Sequence, residues 1–353
     1  MVAIDPSFDD ANLSTVLPAN SQKTTTSIIS ALESGMMIFT VVRATRRHAT
    51  LAFLPIWLWI ASAAVGQERP SGIAAPKAEL LAMTSEWKGE RYADGRPKVP
   101  DELLKRMKSV STEEAWDVLR QHGYENQFAG GWQMLRPEQP FVGRALTAAY
   151  LPSRPDLVER VMRTGKEEGR IGPSNSWPID MLQKGDVYIA DGFGKVADGT
   201  LIGDNLGNAI YAKSGTGVVF DAGARDIDGL MEIEGFNACV RGWDPSFMRN
   251  MVLSSINRPI RIGRVTVLPG DVILARREGV IVIPAHFAEE VVVTSEIVGL
   301  KDEFGHARLR EGVYTPGQID TRWTDPIKAD FFKWLESRPD KPPIPVKEIE
   351  KHL

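Results

Sequence analysis

The stretch from Gly185 to Asp226, GDVYIADGFGKVADGTLIGDNLGNAIYAKSGTGVVFDAGARD, constrains the fold of this chain more than any other. Val187 to Ala190 and Val218 to Phe220 are short β-rich runs. Helical spacing begins near Asp204, between them. Strand, glycine-rich loop, helix and strand make an αβ unit. Gly192, Gly194, Gly199 and Gly203 relax the backbone of the loop, and Asp204 or Asn205 can cap the helix. Its first N–H groups then face outward as an anion site. The loop lacks the Lys-Ser/Thr of a phosphate loop and the compact spacing of a dinucleotide loop, so a nucleotide motif is not supported. At the end of the second strand stand Arg225 and Asp226. Open αβ sheets bind ligands at such strand ends. Arg225 can fork onto a substrate carboxylate, and Asp226 can hold a hard divalent cation directly or through its waters. Taken alone, an Arg-Asp dipeptide also reads as a surface ion pair or a helix cap.

Charge and composition narrow the partners. Lys plus Arg (42) against Asp plus Glu (46) leaves −4, too mild a field to gather nucleic acid. A single cysteine, Cys239, rules out an internal disulfide and a Cys-based zinc site. His122, His286, His306 and His352 show no ligand spacing, so a metal here is oxygen-ligated, Mg²⁺ or Mn²⁺.

Leu51 to Val65, LAFLPIWLWIASAAV, follows Arg43, Arg46 and Arg47 and precedes Gln67-Glu68-Arg69-Pro70. This has the shape of a secretory signal, with small residues for cleavage near Gly66. The run is shorter than the ~20 residues of a membrane span and carries Pro55. The expectation is an exported, periplasmic protein with no membrane segment after cleavage, the alternative being an uncleaved anchor. Arg46-Arg47 is a loose twin-arginine pattern. Met1 to Gly35 is a polar preface, and Met36 or Met37 can serve as the start.

Residues 1–66 are thus read as preface and signal, and 67–110 as an arm with short helices at Ala78 to Met83 and Asp101 to Met107. The main domain spans 111–300, and 301–353 form a helical, Pro-rich extension. Ser111-Thr112-Glu113-Glu114 is a capping box that opens the main domain. A strand at Val142 to Tyr150 and a helix at Pro155 to Thr164 follow. Pro259 to Pro284 reads as an antiparallel meander of three strands. Helical spacing returns from Ala285 to about Arg310 and again at Lys328 to Leu335. The tail from Arg338 to Leu353, with four prolines, reads as a flexible or docking segment.

From about Ser111 to Val292 the chain resembles the family of the regulator of ribonuclease activity A and the class II pyruvate aldolases acting on 4-hydroxy-4-methyl-2-oxoglutarate. The resemblance rests on Gly143-Arg144-Ala145-Leu146-Thr147, Gly185-Asp186-Val187, Leu201 to Leu206 (LIGDNL), Val218-Val219-Phe220-Asp221, Arg225-Asp226 and Thr266 to Asp271 (TVLPGD). It implies an α/β fold, a swivelling β/β/α domain with mixed sheets, assembled as a homotrimer or homohexamer with sites at subunit contacts. It further implies that Gly203, Asp204, Asn205 and Leu206 bind substrate through backbone amides. Arg225 would contact the oxo acid, Asp226 would bind the metal, and Asp204 would order a water used in proton transfer.

The function implied is a divalent-metal-dependent carbon–carbon lyase on 2-oxo acids, releasing pyruvate by retro-aldol cleavage, decarboxylating oxaloacetate, or both. The rival readings are a non-catalytic regulator and an exported binding protein that kept the pocket. The chain departs from the family at Gly229, where an acidic residue is frequent three positions beyond the metal Asp, and at Arg276-Arg277-Glu278 in the late hairpin. Trp132, Trp243 and Trp323 read as core or interface aromatics and His122 as a capping or surface group. Cys239 reads as a buried thiol, and Arg258, Arg261 and Arg264 as a solvated face.

Overall fold

Strands without polar alternation need cover on both faces, and the computed structural model shows what covers them. It describes residues 72–342 and 344–353, so the expected signal and its cleavage point lie outside the described residues. The arm carries α1 (Lys77–Met83) and α2 (Asp101–Met107). Then come α3 (Thr112–Gln121), two short strands β1 (Phe128–Ala129) and β2 (Gln133–Met134), the long β3 (Phe141–Pro152), α4 (Pro155–Glu167) and α5 (Trp177–Asp180). The central unit is β4 (Asp186–Thr200), α6 (Asp204–Ser214), β5 (Val218–Ala224), α7 (Ile227–Met231) and β6 (Ala238–Trp243). Five strands follow: β7 (Met251–Ile256), β8 (Ile260–Ile262), β9 (Val265–Val267), β10 (Val272–Arg276) and β11 (Gly279–Ile283). The helices α8 (Ala288–Arg310), α9 (Pro316–Ile319), α10 (Asp325–Ser337) and α11 (Val346–Lys351) complete the chain.

Nine strands form one mixed sheet in the order β1-β11-β10-β3-β4-β5-β6-β2, with β7 also on β3. The middle four are parallel, and the flanking pairs are antiparallel. Alternate residues explain the layering. Tyr188, Ala190, Val218 and Phe220 meet Trp177, Ile210 and other helix residues on one face. Val187, Ile189 and Val219 meet the separate β8–β9 hairpin, through Ile262, Val265 and Val267, on the other. Helix, large sheet and small sheet therefore stack in three layers, as the expected β/β/α arrangement requires.

The capping box forms as expected: the Glu114 N–H donates to Ser111 Oγ at 3.1 Å and the Ser111 N–H to Glu114 Oε2 at 2.8 Å. Cys239 is buried, which pushes its thiol up to about 12. His122 ends α3, 2.8 Å from Glu290 and stacked on Phe287. Trp323 is a core residue.

Four expectations change. The meander is two hairpins, because β9 pairs only with β8 and the chain turns at Pro269-Gly270 before β10 enters the main sheet. Neither Asp204 nor Asn205 caps α6; Gly203 holds the N-cap position, and no side chain bonds there. Arg258 is not solvated but bonds Glu79 through Nε and Nη2 at 3.0 and 3.2 Å. The Pro-rich tail packs: Ile344 and Ile349 are buried with Phe304 and Phe331 in a fourth core. Two well-spaced isoleucines fill a groove that composition alone does not reveal.

The arm is bound to the sheet by buried charge. Arg96 and Asp186 are both fully buried, with Arg96 Nη1 3.0 Å from Asp186 Oδ2. Arg144, likewise buried, donates from Nε to the Val99 carbonyl at 2.7 Å and from Nη2 to Asp101. Removing one partner of a buried pair strands the other charge away from water. Asp186→Ala should therefore cost about 3–5 kcal/mol of unfolding free energy, read from the denaturant midpoint. Arg154→Ala, which breaks the exposed pair with Asp156, should leave the midpoint unchanged.

Candidate functional site

Parallel strands deliver their following loops to one edge of a sheet. Here β5 and β6 end side by side, with Ala224 opposite Trp243. The loop before α6 is stitched to the end of β5: the Leu201 N–H donates to the Gly223 carbonyl at 3.0 Å, and the Arg225 N–H to the Ile202 carbonyl at 3.1 Å. Those two bonds place Arg225 and Asp226 directly against Gly203.

Contact there is close enough to dictate the residue. A Cβ on Gly203 would lie 2.1 Å from Asp226 Oδ2 and 3.2 Å from Arg225 Nε. Asp226 adopts the left-handed conformation, with φ 61° and ψ 48°, costly for a residue with a Cβ, and caps α7 by accepting the Leu230 N–H on its carbonyl at 2.9 Å. Its carboxylate pairs with its neighbour, Arg225 Nε to Asp226 Oδ2 at 3.2 Å, with both side chains part exposed. The guanidinium thus commits Nε to Asp226.

The cleft above this pair measures about 690 Å³ and is lined by Asp204, Arg225, Asp226, Asp228, Gly229 and the Trp243-Asp244-Pro245 turn. Asp204 Oδ1 accepts the Asn205 N–H at 2.7 Å, which uses one of the three first-turn amides of α6. Gly203, Asp204, Arg225 and Asp226 converge as the sequence predicts. The side chains of Asn205 and Leu206 do not line the cleft, and Leu206 packs toward the core. Trp243, read as a core or interface aromatic, is half-buried and forms a wall.

Asp244 and Pro245 were not expected. They follow β6, a strand hidden in the sequence by Arg241 and Gly242; the rule that ligands bind beyond the ends of parallel strands finds them once β6 is drawn. Hydrogen bonds from the Ser246 hydroxyl and backbone N–H hold the Asp244 carboxyl below its ordinary value.

The lining residues therefore put one guanidinium among four carboxylates, Asp204, Asp226, Asp228 and Asp244. Such a cleft attracts cations and repels a free dianion. Among the described residues no three His, Cys, Asp or Glu side chains converge on a point, so there is no protein-only cage of the zinc type. Asp226 offers one hard, accessible oxygen donor. That fits Mg²⁺ or Mn²⁺, which keep several waters and take few protein carboxylates.

Gly229 fits the same economy of space. A Cβ at this position would lie 2.7 Å from Asp204 Cβ and 3.2 Å from its Oδ2, so Asp204 occupies the place of a side chain at 229.

Gly203→Ala isolates the geometry from the fold, since φ −124° suits any residue. The variant should keep its circular dichroism while a crystal structure shows the Asp226 carboxylate displaced by roughly 1 Å, the shift that removes so close a contact. An unmoved carboxylate would contradict the packing described.

Comparison with known proteins bears on the fold. Residues 112–282 match the family model described as RraA-like, Aldolase/RraA. Protein DlpA of Legionella pneumophila is 26% identical over 204 residues, 57% of this chain and 30% of DlpA, so the match spans under a third of that protein. A protein of Pseudomonas syringae pv. tomato strain DC3000 superposes with a TM-score of 0.51 at 23% identity, covering 64% of this chain and 100% of its own. Streptomyces coelicolor RraAS2, described as an unusual member of the RNase ES inhibitor RraA protein family, gives 0.51 at 24%, covering 60% and 100%. Identities this low carry the fold alone, and the fold is the expected α/β one. The RraA-like superfamily includes metal-dependent aldolases and decarboxylases as well as non-catalytic ribonuclease regulators, and its members commonly form trimers or hexamers. Residues 112–282 of this chain thus form a domain that matches the RraA-like, Aldolase/RraA family.

Proposed function

We propose that the chain is a divalent-metal-dependent carbon–carbon lyase acting on small 2-oxo acids. The reading rests above all on one observation, the single guanidinium among four carboxylates at the ends of β5 and β6. An oxo acid meets net repulsion there unless a cation accompanies it, and Asp226 is the donor placed to hold Mg²⁺ or Mn²⁺. Bound beside the substrate, the cation supplies Lewis acidity for the charge that develops on the 2-oxo oxygen.

The chain's own groups do the rest. With Nε engaged by Asp226, the two terminal nitrogens of Arg225 present a fork to the substrate carboxylate. The first-turn amides of α6 add positive potential at the same place. Asp204 spends Oδ1 on the Asn205 N–H and keeps Oδ2 free to hold the proton delivered to the carbon left by bond cleavage. Retro-aldol release of pyruvate and decarboxylation of oxaloacetate both pass through that proton delivery, so one site serves both. The second reading, a binding protein or regulator with the same pocket, draws support from the lone metal-ligating carboxylate and from Gly229.

Full-length protein assayed for pyruvate from 4-hydroxy-4-methyl-2-oxoglutarate and from oxaloacetate, with and without chelator, separates the two. Asp226→Ala should lower turnover at least about a hundredfold, since Lewis-acid stabilisation amounts to several kcal/mol. Arg225→Lys should raise KM, because an ammonium cannot make the two-pronged contact. Asp204→Asn should lower kcat and leave KM near its value. Oxo-acid binding without pyruvate release under either metal would replace the lyase with the binding protein. The same proposal includes assembly as three or six subunits, and light scattering that gives a monomer at micromolar concentration would count against it.

A further inference from the structure

A second cavity lies on the other side of the domain's architecture, between the arm and the late hairpins. It holds about 360 Å³, within the range of small-ligand pockets. Met83, Trp87 and Pro97 of the arm form one wall; Tyr124, Leu268 and His286 contribute to the other. The arm residues precede the stretch that matches the family model, so part of this pocket's wall lies outside that stretch.

Its polar groups are few and of one sign. Asp271 is buried in the wall, accepts the Leu268 N–H on Oδ2 at 2.8 Å and a second backbone hydrogen bond from Ala285, and has no ion-pair partner among the described residues. Glu86, exposed at the rim, adds a second carboxylate. Among the described residues no Lys or Arg lines the cavity. His286 stands 3.5 Å from the Tyr124 hydroxyl, and burial holds it below its ordinary value, so it is neutral at pH 7. Of the other polar neighbours, Gln127 Nε2 donates to the Val282 carbonyl at 2.8 Å, Thr84 Oγ1 donates to the Leu80 carbonyl and accepts from Arg91, and Thr266 adds an uncharged hydroxyl. The Trp87 indole N–H is likewise taken by the Glu90 carbonyl, so Trp87 offers carbon surface.

We propose that this cavity binds a small organic cation, a protonated amine on a compact apolar or aromatic body, with the ammonium held by Asp271 and Glu86 and the body against Trp87 and Tyr124. Two carboxylates without a cation among them stabilise a positive ligand, and aromatic faces attract it further. The chemistry is opposite in sign to that of the oxo acid proposed for the cleft at β5 and β6, so the two sites do not compete.

Calorimetry on the full-length protein with benzylammonium, neutral benzyl alcohol and benzoate tests this. Benzylammonium should bind once per chain, benzyl alcohol at least tenfold more weakly, and benzoate not at all. Glu86→Gln, on an exposed turn where folding is not at stake, should weaken benzylammonium severalfold, and Asp271→Asn, which keeps an oxygen for only one of its two backbone N–H partners and is therefore compared at an equal folded fraction read by circular dichroism, should do the same. Burial pushes Asp271 up to about 7, so it gains its charge between pH 6 and 8, while burial holds His286 below its ordinary value. Affinity for benzylammonium should therefore rise across that window. Equal binding of alcohol and ammonium, a flat or falling pH profile, or affinity unchanged in Glu86→Gln and Asp271→Asn alike would overturn the proposal.

Discussion

Register in the parallel half of the sheet depends on charge buried at its beginning. Arg144 of β3 stands opposite Asp186 of β4, and both are sealed from solvent by the arm, which supplies Arg96, Asp101 and the Val99 carbonyl as partners. A slip of one residue between β3 and β4 would not only reverse the faces of both strands but also strand charges with no partner. Such pairs contribute little net stability and instead penalise alternatives. The register set there passes to β5 and β6, whose far ends bring Ala224 level with Trp243 and so place Arg225, Asp226 and Asp244 around one cleft. The arm, remote from that cleft in sequence, thereby helps to fix its geometry.

What the sequence makes legible is the local pattern. The αβ unit, the capping box and the Arg-Asp pair are visible because each is written within a few residues, in periodicity or turn chemistry. β4 is longer than its apolar run suggests, continuing to Thr200 through Gly192, Gly194 and Gly199. The glycines read as an interruption, yet pairing to β5 resumes at Lys195 and Thr200 across irregularities, since glycine in a strand also serves bulges.

Long-range partnerships have no comparable signature. Nothing local marks Arg96 as the partner of Asp186, Glu79 as that of Arg258, or Ile349 as a core residue of the tail. Each acquires its role only when segments far apart in sequence meet. The hairpin β8–β9 is a related case: its alternation is correct for a strand pair, but alternation does not say which sheet the pair joins.

The departure at Gly229 acquires a physical meaning in the same way. Counted along the chain it is a missing carboxylate, three residues beyond Asp226. In space it is a position already filled, because the Asp204 side chain lies where a Cβ at 229 would go. An acidic residue at 229 and Asp204 in its present rotamer exclude each other. The cleft keeps its negative character by drawing Asp228 and Asp244 from the flanks, neither of which is anchored by an ion pair within it. Asp204, Asp226, Asp228 and Asp244 thus lie around the Arg225 guanidinium. A cation entering such a cleft finds one firm donor and a diffuse field. On the proposed function, substrate oxygens and water would complete the coordination of a cation held by Asp226, which would tie occupancy of the metal to occupancy of the substrate.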